Sequence, residues 1–477
     1  MDYPELHFMS NREDIGRAFR IALGDLYSNI APYQDGLLDR AESVVLAGLD
    51  YDAPWTRDAA INTWNGAGLL VPDVTRTTLL AVLQRDAGEV LIGGQYWDAI
   101  IWAIGAMAQY LYSGDKVFLS LALDAVRHSL ARLEQNEFEP ALGLFRGPAC
   151  YGDGIAAYPE PYNQTQGDSC ILAWPACNPE RRTQTGYGLP MHALSTNCLY
   201  YAAYVLAQQM AAELHESPDP IWNRKAQALK NAINRHFWVP ELGRYRYLVD
   251  PFGNCDYTEA MGQSLAILFG IAEVAQIESI FSNQYVAPAG VPCVWPSFPR
   301  YTSVDGQTFG RHSGTVWPHI QALWADAAAL YGKVDVFAHE LNQLTKYANR
   351  DVQFAELYHP ITGLSYGGLQ ELGSEPRHLW ASCSRQTWSA TGYLRMVLRG
   401  LLGVRIELTG VQFEPLLPQG VNYLCLQHLP YRRMNLTITV EGTGSHIQSC
   451  HVNGQSLSRA YIPATREGEQ HVHLVVG

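Results

Sequence analysis

The sequence predicts an all-α body, a ring of six inner helices wrapped by six outer ones, followed by a small antiparallel β domain. Three observations predict it. Apolar residues recur at helical spacing along most of the chain up to about residue 402. Several of these segments are apolar on nearly every side, as in YWDAIIWAIGAMAQYLYSGD (96–115) and LPMHALSTNCLYYAAYVLAQQMAAEL (189–214). A helix apolar all round must be buried all round. Near residue 403 the pattern changes to alternation with period two.

Taken in order, helices are expected to begin near Arg12, Arg57, Asp73, Trp97, Lys116, Pro190, Pro220, Thr258, Glu273, Ser313, Lys333 and Ser384. That makes about twelve, and an inner ring of six inside an outer ring of six accommodates their alternating exposure. No repeat of fixed period is visible, so the pattern does not favour a regular solenoid. The stretches VRIELTGVQFEPLLPQ, LTITVEG, IQSCHVNGQSL and HVHLVV then read as strands separated by Gly, Asn and Pro turns. We therefore divide the chain at 1–402 and 403–477. A β unit that short and rich in edges needs the helical part to pack against.

Composition narrows the function. Of the 477 residues 47% are apolar and 17% charged, as in an ordinary globular protein. The net charge of −13 argues against nucleic acid or an anionic membrane as partner, because either rewards a basic face. No apolar run reaches the roughly 20 residues of a membrane span. The N-terminal MDYPELHFMSNREDIGRAF lacks the basic start and apolar core of a secretory signal. Nine cysteines, scattered and odd in number, suit buried thiols of a cytoplasmic protein better than a disulfide framework. With no CxxC, HExxH, GxGxxG or GxxxxGK[ST], neither a zinc site nor a common nucleotide fold is expected.

Four polar-aromatic stretches interrupt the helices: YDAPWTRDAAINTW (51–64), LGLFRGPACYGDGIAAYPEPY (142–162), GRHSGTVWPHIQALW (310–324) and FAELYHPITGLSYGG (354–368). Each sets Trp or Tyr beside charged groups at a helix junction, and in a helical ring such junctions line one mouth. Aromatic faces stack on sugar rings while carboxylates, Arg and His bind hydroxyls, so the mixture suits a carbohydrate pocket. Cleaving a glycoside takes two carboxyl groups flanking the scissile bond. Asp153 and Glu356, each in a Gly/Pro/Tyr-rich loop, are the candidate pair, although Asp153 could equally be a turn aspartate before Gly154 and Glu356 an exposed loop carboxylate. Asp58 and Arg57 open a helix, where an Asp also favours the helix dipole. Asp98 lies in an apolar segment and needs a partner, whether a sugar hydroxyl or an Arg. Trp317 either lines the pocket or begins a buried helix; Gln263 and Trp388 read as core or supporting residues more than as pocket residues.

Together these stretches resemble the six-hairpin glycosidases, and most closely the amylo-α-1,6-glucosidase domain of glycogen-debranching enzymes. WTRDAA matches that family's aromatic-Gly-Arg-Asp motif at Trp55, Arg57 and Asp58. Trp97, Asp98 and the closing YLYSGD parallel its next inner helix. STNCLYYAAY is similar to its EINALWYNAL, keeping Asn197 but with Ser195 where the family has Glu. SGTVWPHIQAL parallels GSVWPHDNAL, and AELYHP…LWASCSRQTWSATGYLRMVLRGLLG parallels PELF…ACSPQAWAAG…LLQALLG. The resemblance implies an (α/α)6 barrel and an inverting, exo-acting hydrolase that removes α-linked glucose from a short soluble glycoside without a cofactor or metal. It makes Glu356 the general base and Asp153 the general acid, the latter with its pKa raised by aromatic surroundings. It implies sugar binding by Trp55, Arg57, Asp58, Trp97, Asp98, Arg146, Asn197, Gln263, His312, Trp317 and Trp388. The departure at Ser195, and the lack of a separate glucanotransferase domain, set the chain apart from a full debranching enzyme. A glycoside phosphorylase, a sugar epimerase or isomerase using paired histidines among His312, His319, His359 and His378, and a non-catalytic sugar-binding protein are the rival readings.

Overall fold

The computed structural model describes residues 6–217 and 219–477. Among them are twelve α-helices of seven residues or more. They are α1 (Glu13–Ser28), α2 (Thr56–Asn62), α3 (Pro72–Ala81), α4 (Trp102–Ser113), α5 (Lys116–Glu137) and α6 (Leu194–Glu213), then α7 (Pro220–His236), α8 (Ala260–Leu268), α9 (Val274–Asn283), α10 (Pro318–Leu330), α11 (Val334–Asp351) and α12 (Thr387–Arg395). The even-numbered helices touch in a closed cycle, α2 to α4, α6, α8, α10, α12 and back to α2. The odd-numbered helices lie outside it: α3 and α5 pack on α4, α7 on α6, α11 on α10, and α1 on α11 and α12.

Burial follows the sequence pattern. From Trp102 to Tyr110 every residue of α4 is buried, as is every residue of α10 from Pro318 to Ala328, so each needs neighbours on all sides. The outer α1 buries a stripe including Ile15, Phe19, Ala22 and Leu26 and exposes the rest. Local chemistry sets the turns. Gly114, at φ 74°, ends α4, and the Asp115 carboxylate accepts from the Val117 and Phe118 N–H groups to start α5.

Four inner helices begin later than their apolar patterns suggest, at Trp102, Leu194, Pro318 and Thr387 rather than near Trp97, Pro190, Ser313 and Ser384. Long-range backbone pairing holds some of these entries extended: His192–Ala193 against Leu248–Val249, and Val316 against Tyr358. Trp97 and Asp98 stand just ahead of a 3-10 turn, Ala99–Ile101.

The C-terminal strands form a sheet in the order His7–Ser10, Tyr423–Tyr431, Met434–Gly442, Gly468–Val476, Ile447–Val452 and Gln455–Ser456, beside a smaller sheet of Val404–Glu407, Gly410–Phe413 and Tyr461–Pro463. The expectation of a purely antiparallel unit needs correction. Gly468–Val476 inserts between Met434–Gly442 and Ile447–Val452, so it runs parallel to the former. Phe8, Leu424, Leu436 and Leu474 share one apolar cluster with Phe19 of α1, Leu344 of α11 and Leu394 of α12, which fixes the sheet on the helices. Beneath it the buried Asp326 of α10 accepts from Arg395 Nε at 3.0 Å and Arg399 Nε at 2.9 Å, and also binds Arg405. No helix is long and apolar enough to cross a membrane, among the described residues.

Candidate functional site

At the end of the ring where α2, α10 and α12 begin lies a cavity of about 430 Å³. The loop before α2 brings Tyr51 and Trp55, and α2 itself Arg57 and Asp58. The segments before α4 and α10 bring Asp98, Arg311, His312 and Trp317, while two long loops bring Asp153 and Glu356. The cavity therefore collects residues more than 300 positions apart in sequence, which only the closed ring of helices brings together.

Asp153 and Glu356 have different surroundings. Arg57 sits between two aspartates, with Nη1 2.9 Å from Asp98 Oδ2 and Nη2 3.6 Å from Asp153 Oδ2, and it also donates to Cys150 O at 2.9 Å. Asp153 Oδ1 lies 3.3 Å from His312 Nε2, and the Asp153 side chain is 39% exposed. Burial pushes the Asp153 carboxyl up, but Arg57, then His312, then Arg311 outweigh it and hold the group below the ordinary carboxylate range. The expected upward shift from aromatic surroundings is thus corrected: the cations beside the carboxylate decide its sign.

Glu356 is held from three directions. Arg311 Nη2 donates to Oε2 at 2.7 Å, Tyr51 OH to Oε1 at 3.0 Å and Cys383 N–H to Oε2 at 3.2 Å. Arg311 is itself fixed, donating from Nη1 to Gly367 O and Ala381 O and lying over the rings of Trp317 and Trp380. Such a charge-assisted clamp leaves the carboxylate one orientation.

Burial raises the Asp58 and Asp98 carboxyls to about 7, against the lowering effect of Arg57. Glu356, Asp98 and Asp153 all add to the shift at Asp58, so this residue feels both members of the candidate pair. Asp58 Oδ1, Asp98 Oδ1, Arg57 Nε, Trp388 Nε1 and Gln386 Oε1 belong to lining residues and have no hydrogen-bond partner within the protein.

Nine of the residues anticipated from sequence line this cavity: Asp153, Glu356, Trp55, Arg57, Asp58, Asp98, His312, Trp317 and Trp388. Four do not, and each has other work. Asn197 Oδ1 accepts from Phe145 N–H while its amide donates to Phe145 O and Ala193 O. Gln263 clamps Tyr245 in the same way, accepting from its N–H and donating to its carbonyl. Both are fourth in their inner helices, and each pins the hairpin that follows an outer helix. Arg146 donates to Asn136 O and Thr185 and faces Glu137 and Glu139. Trp97 is fully buried, edge-on to Tyr96.

Sequence reading passed over Tyr51, Arg311, Gln370, Trp380 and Gln386, which also line the cavity. Tyr51 and Arg311 lie inside stretches already singled out. Trp380 and Gln386 lie inside the quoted stretch LWASCSRQTW, whereas Gln370 belongs to a strand, Leu369–Leu372, that carries no motif.

Comparison with known proteins places the chain in a family. No curated protein matches the sequence. Among solved structures the chain is similar to a sialidase, with TM-score 0.67 and 16% identity over 95% of this chain and 40% of that one. It is also similar to the GH63 mannosylglycerate hydrolase of Thermus thermophilus in complex with glucose, with TM-score 0.58 and 14% identity over 80% of this chain and 99% of that one. A third is the α-L-rhamnosidase of Dictyoglumus thermophilum, with TM-score 0.59 and 12% identity over 97% and 49%. The chain thus spans under half the length of the sialidase and the rhamnosidase. At these identities the likeness is one of fold alone. Residues 98–389, which include Asp98, Asp153, His312, Trp317, Glu356 and Trp388, match the model of the mannosylglycerate hydrolase MGH1-like glycoside hydrolase domain, and it is to this family that the chain belongs.

Proposed function

We propose that the protein is an inverting, exo-acting hydrolase that releases one α-linked hexose, with glucose the expected sugar, from a short soluble glycoside. The observation that carries this reading is a pair of carboxylates facing one cavity from separate loops, each fixed by its own arginine. Asp153 donates a proton to the leaving oxygen, and Glu356, oriented by Arg311, Tyr51 and Cys383 N–H, accepts one from the attacking water. The sugar would cover the exposed part of Asp153, and losing that water favours its protonated form. Trp55, Trp317 and Trp388 offer ring faces, and Arg57, Asp58, Asp98 and His312 offer partners for hydroxyls. No step needs a cofactor or a metal.

The closed cycle of helices supports an (α/α)6 barrel over residues 1–402, with 403–477 as a β unit to which His7–Ser10 lends a strand. Nine unpaired cysteines, most of them buried, favour a reducing compartment, the cytoplasm. The family match favours a second substrate reading: an α-mannoside of a small acid such as mannosylglycerate. An epimerase is less well supported, since His312 is the one histidine lining the cavity among the described residues. His319 is buried against Trp388, and His378 pairs with Glu375 on the surface.

A hydrolysis screen over α-glucosides, mannosylglycerate and α-rhamnosides tests the substrate, with and without phosphate to separate hydrolysis from phosphorolysis. Proton NMR of the first product tests inversion. Inversion requires the Asp153 and Glu356 carboxyl groups to be roughly 6.5–9.5 Å apart in the complex, and a product of retained configuration would overturn the mechanism.

A further inference from the structure

We infer that Asp153 and His312 share one proton in the resting enzyme and that Gln370 is the positioning residue that makes them do so. The inference rests on Asp153 being the general acid.

Gln370 Oε1 has two neighbours, Ala156 N–H at 3.4 Å and His312 Nδ1 at 3.1 Å. A backbone N–H can only donate, so the oxygen of the amide, not its NH2, faces this side. His312 Nδ1 must then carry a hydrogen to complete the second contact. The other ring nitrogen, Nε2, lies 3.3 Å from Asp153 Oδ1. With the hydrogen fixed on Nδ1, lone pairs would face each other across this gap unless a proton lay between them. The pair is therefore imidazolium with carboxylate, or imidazole with carboxylic acid, and both forms hold the same single proton.

The setting is built for this contact. His312 and Gln370 are 3% and 4% exposed, so little water can substitute for either partner. A side chain at 154 would place its Cβ 2.0 Å from Gln370 Oε1 and 2.5 Å from His312 Nδ1. The glycine after Asp153 is what admits the pair. Charged and titratable groups surround it on all sides. Arg57 and Asp58 face it from α2, Asp98 from behind Arg57, Arg311 from the residue before His312, and Glu356 through its pair with Arg311. Tyr151 lies at 6.4 Å from the imidazole, Cys170 lies beside Asp153, and His319 lies behind Trp317. Arg57 and Arg311 pull the shared proton toward His312. A bound sugar that dehydrates Asp153 pushes it back, which supplies the acid when it is needed.

In the reaction Asp153 gives this proton to the glycosidic oxygen as the C–O bond breaks, and the attacking water gives one to Glu356. The pair is left as carboxylate and neutral imidazole. It regains a proton from solvent as Glu356 releases its own, so protons balance over the cycle. Gln370 matters because it makes the proton-depleted pair repulsive. Without that acceptor, neutral His312 could move its hydrogen to Nε2 and donate to the carboxylate, and the shared proton would leave at lower pH.

The test is the pH dependence of kcat/KM, measured with the disaccharide or mannosylglycerate selected by the screen and with the matching α-glycosyl fluoride. Gln370→Leu should move the basic limb down by about one pH unit, a tenfold loss of proton affinity, for the natural glycoside and not for the fluoride. Gln370→Glu keeps the acceptor and should leave the limb in place or raise it. Nitrogen-15 NMR of the histidine-labelled wild-type enzyme should show a hydrogen on His312 Nδ1, and this readout stands even if a variant fails to fold. A rate lowered equally at every pH, or a His312 without hydrogen on Nδ1, overturns the inference and leaves Asp153 as the acid. Full hydrolysis by Asp153→Asn would instead remove the reading beneath it.

Discussion

Replacing Glu259 by Gln should make this protein more stable near neutral pH. The residue is fully buried at the start of α8; one carboxylate oxygen accepts from Ser195 N–H at 3.0 Å and the other has no partner. Burial raises its pKa from 4.5 to about 8, against the lowering effect of Ser195. The unfolded chain gives up this proton near its ordinary value while the folded chain keeps it, so rising pH favours unfolding throughout that interval. At ~1.36 kcal/mol per unit the penalty is about 3 kcal/mol at pH 7 and under about 1 kcal/mol at pH 5. Glutamine keeps an acceptor for Ser195 N–H and has no proton to lose, though its amide adds an N–H that needs a partner. The net gain should be about 2–3 kcal/mol at pH 7 and close to zero at pH 5. Urea unfolding of both proteins across this range measures it, and kcat should not change, because Glu259 lies outside the cavity. A difference that is flat with pH, or a variant less stable at neutrality, would refute the reasoning.

Asp153→Asn should cut hydrolysis of unactivated glycosides by about 10²–10⁴-fold while sparing glycosyl fluorides, whereas Glu356→Gln should damage both; steady-state rates on the two substrates decide it. Asp326→Asn strips the fully buried Arg395 of its counter-charge and should cost about 3–5 kcal/mol in unfolding experiments. Burial opposes ionisation of Asp326, but Arg395, Arg399 and Arg405 hold its carboxyl well below the usual range. Its contribution is therefore present above the unfolded-state value and should fade as the pH falls below about 4. Asn197→Ala leaves both backbone groups of Phe145 unpaired and should lower stability by roughly 2–4 kcal/mol. KM should stay unchanged, and a raised KM at full stability would return Asn197 to the sugar site.

The helices were most legible where their ends are set by neighbouring residues. The starts expected near Lys116, Pro220, Glu273 and Lys333 fall within one residue of those observed, because Asp115 and the Asp219–Pro220 pair act locally. The starts expected near Trp97, Pro190 and Ser313 came four or five residues early. Their apolar runs continue through extended entries, some held by pairing with Val249 or Tyr358, which no local pattern reveals. Alternation marked the C-terminal strands but could not show which strand inserts between which, so the parallel pair was missed. In the site, Arg57, Asp58 and Glu356 were visible because charge beside aromatic residues at a helix junction is unusual. Asn197 is expected at the sugar but holds a hairpin, because a buried amide serves either, whereas Gln263 takes the supporting role that its reading favours. Gln370 enters the cavity only through the tertiary fold.

The strand His7–Ser10 pairs with Tyr423–Tyr431, and α1 and α2 rest on α12. During synthesis at ~5–20 residues per second, the partner of that first strand emerges roughly 20–80 seconds after it. Until then the inward faces of α1 and α2 have nothing to cover them from the far side. The circle can close only when the last helix arrives, and closing it gathers contacts that are remote in sequence, the slow kind. A nascent chain therefore spends most of its time on the ribosome as an open arc. Substitutions that delay the arrival or docking of α12 should cause aggregation during expression even where the finished protein is as stable as before.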